Sequence, residues 1–216
     1  MACVETPAGL GEVPGIRAHF VGRVPGADVR LDRTEAMALL APLHFQILER
    51  EGLADFPLVT AEQVHGNDVS WIESPTAALV AGVDGLATST RGVTLGIHVA
   101  DCAPVWIVAS DGSAGTLLHS GRKGTDLGIV TRGVSLLRSH CNLAAADLVM
   151  VIGPCIRPPC YEVDFALKIR QQGEEAGIRE IHDEGICTGC RTDLYYSYRK
   201  ELGKTGRMLA TLTLMP

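Results

Sequence analysis

Three residues in this 216-residue chain have side chains suited to binding a metal or forming a nucleophile–base pair. They are His65 in QVHG, Cys102 in ADC and His119 in LLHSGRKG. They stand 37 and 17 residues apart. None of the short ligand spacings of zinc fingers or helix-borne HExxH sites applies, so a site built from them must draw on three separate elements. Two imidazoles and one thiolate suit zinc, with copper a less favoured alternative, and three protein ligands leave a fourth position for water or substrate. The same types also fit a metal-free pair, with Cys102 as nucleophile and His119 as its base. A histidine at a strand end serves equally well as a hydrogen-bonded packing residue, and spacing alone leaves these readings open.

The turn after His119 reads GRKGT and carries Arg122 and Lys123 between two glycines, just before a helix start. Unpaired N–H groups and the helix dipole favour an anion there; a solvated cationic turn is the plain alternative. The stretch is not GxxxxGK[ST], and no GxGxxG occurs, so neither a Walker loop nor a Rossmann cofactor is supported. Asp101, beside Cys102, is a candidate to orient a ligand histidine, or simply a turn residue. Asp84, before Gly85, reads as a turn between strands. Cys155, Cys160, Cys187 and Cys190 form a possible second constellation, with CTGC a CxxC. Buried unlinked thiols are the preferred reading there, over a structural zinc.

The elements that must position these residues follow from periodicity. DRTEAMALLAPLHFQILEREG, from Asp32 to Gly52, predicts a helix capped by Asp32 or Thr34, with a kink or break at Pro42. PLVTAEQVHGNDVSWI, GVTLGIHVA, APVWIVAS and AGTLLHS read as strands bounded by Gly, Asp and Ser. A helix from Thr125 to about Cys141, a strand DLVMVIG, a helix over YEVDFALKIRQQGEEAG and a strand in GRMLATLTL complete the chain. Strands clustered between helices predict an α+β fold, one domain over 1–216 with a mixed β-sheet flanked by helices. Residues 1–15, rich in Gly and Pro, are expected to be loose.

Apolar residues make up 46% and charged residues 20%, as in an ordinary soluble globular protein. A net charge of −6 leaves no basic excess to neutralise phosphates, which argues against a nucleic-acid or acidic-membrane partner. It does not argue against a small anion. The N-terminal MACVETPAGLGEVPG shows no basic segment followed by an apolar run, and no apolar run approaches a membrane span. With seven cysteines, an odd number, the expectation is a cytoplasmic protein without a disulfide scaffold.

Taken in order, QVHG, DGLATS, ADCAPV, HSGRKGT, IGPCIRPPCYEV, ICT and SYRKELGKTGR resemble the laccase-domain family of purine nucleoside phosphorylases. Its members were formerly called multicopper polyphenol oxidoreductases, and some are known as peptidoglycan editing factors. The likeness runs from about Ala18, where AHFVGR is similar to the family's opening strand, to the C-terminus. It implies a sandwich like that of cysteine hydrolases and toxin deamidases, and His65, Cys102 and His119 as zinc ligands. Arg23 matches an N-terminal arginine, a candidate for contact with an anion or ribose. Cys155, Tyr161, Glu162, Cys187, Ser197 and Arg199 match family positions without an assigned role. The family usually reads His-Ala-Gly-Trp-Arg-Gly where this chain has Ser120, Arg122 and Lys123. The change removes an aromatic face near the metal and replaces a guanidinium fork by an ammonium.

The resemblance implies small-molecule substrates, a purine nucleoside and phosphate, in a monomer or weak homo-oligomer. The implied reactions are phosphorolysis of the N-glycosidic bond and, in some members, adenosine deamination. Arg122 and Lys123 would steady phosphate, and Asp101 is the candidate general acid or base. Three rivals stand beside this reading. The first is a Cys102/His119 hydrolase, acting for instance on cell-wall precursors. The second is a copper polyphenol oxidase, for which three matched positions supply few ligands. The third is a non-catalytic zinc-binding protein, motivated by the altered turn.

Overall fold

The computed structural model of the chain describes residues 3–74 and 76–216. In chain order its strands are β1 (Val4–Glu5), β2 (Ile16–Val21), β3 (Leu58–Ala61), β4 (Val69–Trp71), β5 (Ala78–Val80) and β6 (Gly85–Thr88). They continue with β7 (Val93–Val99), β8 (Ala103–Ala109), β9 (Gly115–Ser120), β10 (Leu148–Ile152), β11 (Glu180–Asp183) and β12 (Met208–Leu214). The helices are α1 (Arg33–Arg50), α2 (Arg122–Asp126), α3 (Ile129–Cys141) and α4 (Phe165–Glu175). The strands form two six-stranded sheets, ordered β1-β2-β12-β7-β3-β5 and β11-β10-β8-β9-β6-β4. Both are mixed: β3 runs parallel to β7 and β5, β10 parallel to β11, and β4 parallel to β6, while the other pairs are antiparallel. The expected α+β class is borne out, with the mixed pairing divided between two sheets.

β8 shows why the strands read as near-continuous apolar runs. Trp106 and Val108 pack into the core between the sheets, with Phe20, Leu95, Leu117 and Leu212. Ala103, Val105 and Ile107 face the other way, onto Ile129, Val134 and Leu137 of α3 and Ile169 of α4. A strand covered on both faces loses the polar half of its alternation. Trp106 Nε1–H crosses the sandwich and donates to the Thr211 carbonyl at 2.9 Å. Its ring meets Phe20 edge-on, with centroids 6.5 Å apart.

Several boundaries differ from expectation. α1 runs unbroken through Pro42. The ring points to solvent, and burial of Leu40, Ile47 and Leu48 holds the helix on its sheet despite the missing hydrogen bond. Asp32 is the N-cap, accepting from Glu35 N–H at 3.0 Å. The expected Thr125–Cys141 helix starts earlier and divides into α2 and α3, because Gly128 turns the chain at φ 79°. α4 begins at Phe165, not Tyr161, where Asp164 caps the Leu167 N–H. Residues 3–15 are held rather than loose: Val4 and Glu5 pair with β2, and Leu10 is buried. Residues 1 and 2 lie outside the described residues.

α1 also buries His44, whose two ring nitrogens have no hydrogen-bond partner among the described residues. It stacks on His98, with ring centroids 5.8 Å apart. Burial pushes its pKa down from 6.5 to about 4. The unfolded chain therefore takes up a proton that the folded chain refuses. The stability this represents is complete above pH 6.5 and is lost as pH falls toward 4, at up to about 1.4 kcal/mol per pH unit. Denaturant unfolding of His44→Phe across that window is expected to show a shallower loss than the unsubstituted chain. Equal slopes would contradict it.

Candidate active site and metal centre

Residues 100–102 carry the chain from β7 in one sheet to β8 in the other, which places Cys102 at the edge between the sheets. His119 is on β9 opposite Pro104, next to the strand's end, and is buried. His65 lies in the loop after β3 at φ 61°, a left-handed conformation uncommon for a residue with a side chain. One ligand atom from each of His65, Cys102 and His119 lies within 4.8 Å of the other two. The imidazoles meet edge to face, with centroids 4.9 Å apart.

What holds the two histidines is Asp84, which is fully buried. Its carboxylate accepts the N–H groups of Val64, His65 and Gly66 at 3.1, 2.9 and 2.7 Å, folding the QVHG loop around itself. One of its oxygens is also 2.8 Å from His119 Nδ1. Its backbone carbonyl accepts the His119 N–H at 2.7 Å. With Nδ1 engaged, Nε2 is the nitrogen left to face Cys102, the tautomer arrangement that a carboxylate–histidine–metal unit requires. Asp84 thus does what Asp101 was expected to do. Asp101 sits at φ 80° with its oxygens turned elsewhere. They accept the Thr188 hydroxyl and the Arg199 N–H, each at 2.7 Å, and the residue lines the cleft wall instead of orienting a histidine.

Two glycines let the loops close. A Cβ on Gly121 would lie 2.6 Å from Cys102 Sγ, and one on Gly124 2.8 Å from the Gly66 carbonyl. Ser120 and Thr125 lock the corner, their hydroxyls 2.8 Å apart, with Thr125 also donating to the Gly121 carbonyl at 2.8 Å.

The electrostatics favour a thiolate. Burial pushes the Cys102 thiol up, but the His119 charge and hydrogen bonds from both imidazoles outweigh it and bring the pKa down to about 6. Burial lowers His119, while the Cys102 thiolate and Asp84 raise it to about 9. A deprotonated soft donor between two imidazoles fits zinc, so the residues present suit the ion that the sequence resemblance implies. In metal-free protein, alkylation of Cys102 is expected to rise with pH through a midpoint near 6, well below an ordinary thiol. Loss of the imidazolium in His119→Ala is expected to move that midpoint up. A midpoint unchanged by the substitution would contradict the pairing.

The three residues lie on the wall of a cleft of about 1090 Å³. Arg33, Arg122, Arg199, Lys204 and Arg207 bring five cations to it, with Tyr161, Phe165 and Tyr198 as aromatic surface. Arg199 is paired with Glu162. Among the described residues no carboxylate lies within ion-pair distance of Arg33, Arg122 or Arg207. Three guanidiniums outside ion-pair distance of any described carboxylate suit an oxyanion, in a cleft that Asp32 and Asp101 also line.

Of the expected contact residues, only Arg122 lines this cleft. Lys123 is exposed outside it. Arg23 is committed elsewhere: it pairs with Glu201 at 2.8 Å, stacks over the Tyr196 ring at 4.4 Å and donates to the Tyr195 carbonyl. Arg33 and Arg207 were not singled out from sequence. Arg207 had a signal, as the last residue of SYRKELGKTGR, but Arg33 reads only as part of a helix start.

Comparison with known proteins bears on this arrangement. The family described as multi-copper polyphenol oxidoreductase laccase matches residues 44–170 and 163–215. Purine nucleoside phosphorylase YlmD of Geobacillus stearothermophilus is 33% identical over 198 residues, covering 72% of each chain. A purine nucleoside phosphorylase of Deinococcus radiodurans is 31% identical over 229 residues, covering 92% of this chain and 87% of the relative. The crystal structure of YlmD from Geobacillus stearothermophilus superposes with a TM-score of 0.83, covering 97% of this chain and 96% of that one at 27% identity. By the extent of the family match and by these relatives, the chain belongs to the multi-copper polyphenol oxidoreductase laccase family.

Proposed function

We propose that this chain is a zinc-dependent purine nucleoside phosphorylase. The observation that carries the reading is the convergence of His65, Cys102 and His119 in a cleft that also holds Arg33, Arg122 and Arg207, outside ion-pair distance of any described carboxylate. Support comes from relatives named for that activity. In phosphorolysis a phosphate oxygen bonds to the ribose anomeric carbon as the bond from that carbon to the purine nitrogen breaks, and the released purine is protonated. The guanidiniums hold the phosphate and offset its charge. Tyr161 and Tyr198 offer aromatic surface to the base. His65, Cys102 and His119 would hold zinc, which when bound supplies Lewis-acid polarisation at the reacting end of the cleft. Adenosine deamination, in which water adds at purine C6 and ammonia leaves, is the second activity we assign to this centre. Seven cysteines, all free thiols, fit a reducing compartment, and we place the protein in the cytoplasm. No helix among the described residues is long and apolar enough to cross a membrane.

A metal-free reading has one observation in its favour. Cys102, His119 and Asp84 stand as nucleophile, base and orienting carboxylate, with the thiol already lowered to about 6. One experiment separates the two. Zinc-loaded protein is incubated with adenosine or inosine, with and without phosphate, and nucleoside, base and inosine are resolved by chromatography. Phosphate-dependent release of free base supports phosphorolysis, and inosine formed from adenosine supports deamination. Neither product from protein shown to hold zinc overturns the proposal. Turnover of an amide or ester substrate by stripped protein, abolished by alkylation of Cys102, supports the hydrolase.

A further inference from the structure

Away from the cleft, the described residues bring a second group of soft ligands together. Cys155 is buried and takes no part, but Cys160, Cys187 and Cys190 converge, their three sulfurs within 4.8 Å of one another. Residues 187–190 read Cys-Thr-Gly-Cys, and the 3-10 turn Thr188–Cys190 brings the two ends of this CxxC to one side. Cys160 comes from the turn after β10, its sulfur 3.2 Å from that of Cys190. All three are free thiols.

We propose that Cys160, Cys187 and Cys190 form a second metal site, all thiolate, that takes zinc. Three features support it. With Zn–S bonds of about 2.3 Å, tetrahedral sulfurs stand roughly 3.8 Å apart, a spacing the trio reaches with small side-chain adjustments. The Arg157 N–H lies 3.4 Å from Cys187 Sγ and donates to it, as backbone N–H groups around metal-bound thiolates do. Gly189 makes room: a Cβ there would stand 2.8 Å from Cys160 Cβ and 3.2 Å from its sulfur. Three soft ligands on two tight turns select a thiophilic ion over magnesium or calcium, and leave one position for solvent or an exogenous thiol.

The site has a structural consequence for the cleft. Thr188, inside the CxxC, gives its hydroxyl to Asp101, and Asp101 adjoins Cys102. The Thr188 backbone N–H donates to the Cys155 carbonyl at 3.1 Å. An ion on the three sulfurs would therefore pin the turn that supports the Asp101 wall.

The test is a cadmium titration of the full chain, stripped of metal and kept reduced, in the Cys102→Ser background. The absorbance of the thiolate-to-cadmium band reads the number of sulfurs bound. One tightly held cadmium with a three-thiolate band is expected. In Cys102→Ser/Cys190→Ser retention against chelator is expected to fall at least tenfold, and the band of any cadmium still held to drop to that of two thiolates. Cys190 is exposed, and circular dichroism checks that the fold survives; Cys160→Ser provides a second variant with the same expected loss. No cadmium band in the Cys102→Ser chain, or a band unchanged by both cysteine substitutions, would overturn the proposal.

Discussion

Cys102→Ser is expected to lose tightly bound zinc at the primary centre and nucleoside phosphorolysis together, each by more than about 100-fold, the upper end of what removing a mere supporting group costs. The reasoning is local. Serine fills the same space, and the Gly121 backbone that leaves room for the sulfur still passes beside it. A hydroxyl, however, is not ionised near neutrality as this thiol is, with its pKa near 6. His119 also loses the anion that does most to raise its own pKa, so it reverts toward a neutral, buried imidazole. Metal analysis and chromatographic assay of the purified variant check both effects, and circular dichroism checks the fold. Retention of full zinc at this centre with full activity would show that the sulfur is not a ligand.

The second large effect is expected at Asp84, which stands behind two of the cleft's histidines and does not itself line the cleft. Asp84→Asn keeps the shape, but its N–H₂ group faces donors whichever oxygen it replaces: the Val64 and Gly66 N–H groups on one side, or the His65 N–H on the other. On the His65 side the amide also donates to His119 Nδ1 instead of accepting from it, which sets the wrong tautomer for a ligand through Nε2. Zinc affinity is expected to fall roughly 10–100-fold. Stability of the metal-free protein is expected to fall by roughly 3–5 kcal/mol, as when one partner of a buried ion pair is removed. Competition with a chelator measures the first, and denaturant unfolding of stripped protein measures the second. A drop in affinity without loss of stability would mean that Asp84 orients His119 but does not hold the QVHG loop.

Asp84 is also where reading the sequence alone runs short. VDGL looks like a turn, because an acid before a glycine usually is one. The informative feature was its apolar setting in VAGVDGLATS, which leaves a carboxylate in need of several donors. The donors come from a loop about 20 residues earlier and an imidazole 35 residues later, so no local pattern names them. His65, Cys102 and His119 were legible as types at strand ends and as matches to ordered motifs. Their convergence depends on β7 and β8 belonging to different sheets, and an apolar run does not state which sheet it joins. The α+β class followed from strand-like runs clustered between helices, and the missed breaks follow from single residues. Gly128 divides a helix by its positive φ, whereas Pro42 fails to divide one because buried neighbours hold it. The cationic turn was legible in charge, but which way each side chain points was not. Arg122 enters the cleft and Lys123 does not.

The most direct test of a metal-dependent phosphorylase centre is the initial rate of phosphate-dependent base release as zinc is returned to stripped protein. The rate is predicted to start near zero, to rise with added zinc and to level off when the site of His65, Cys102 and His119 is filled. A rate in stripped protein equal to that of the loaded enzyme would contradict the account.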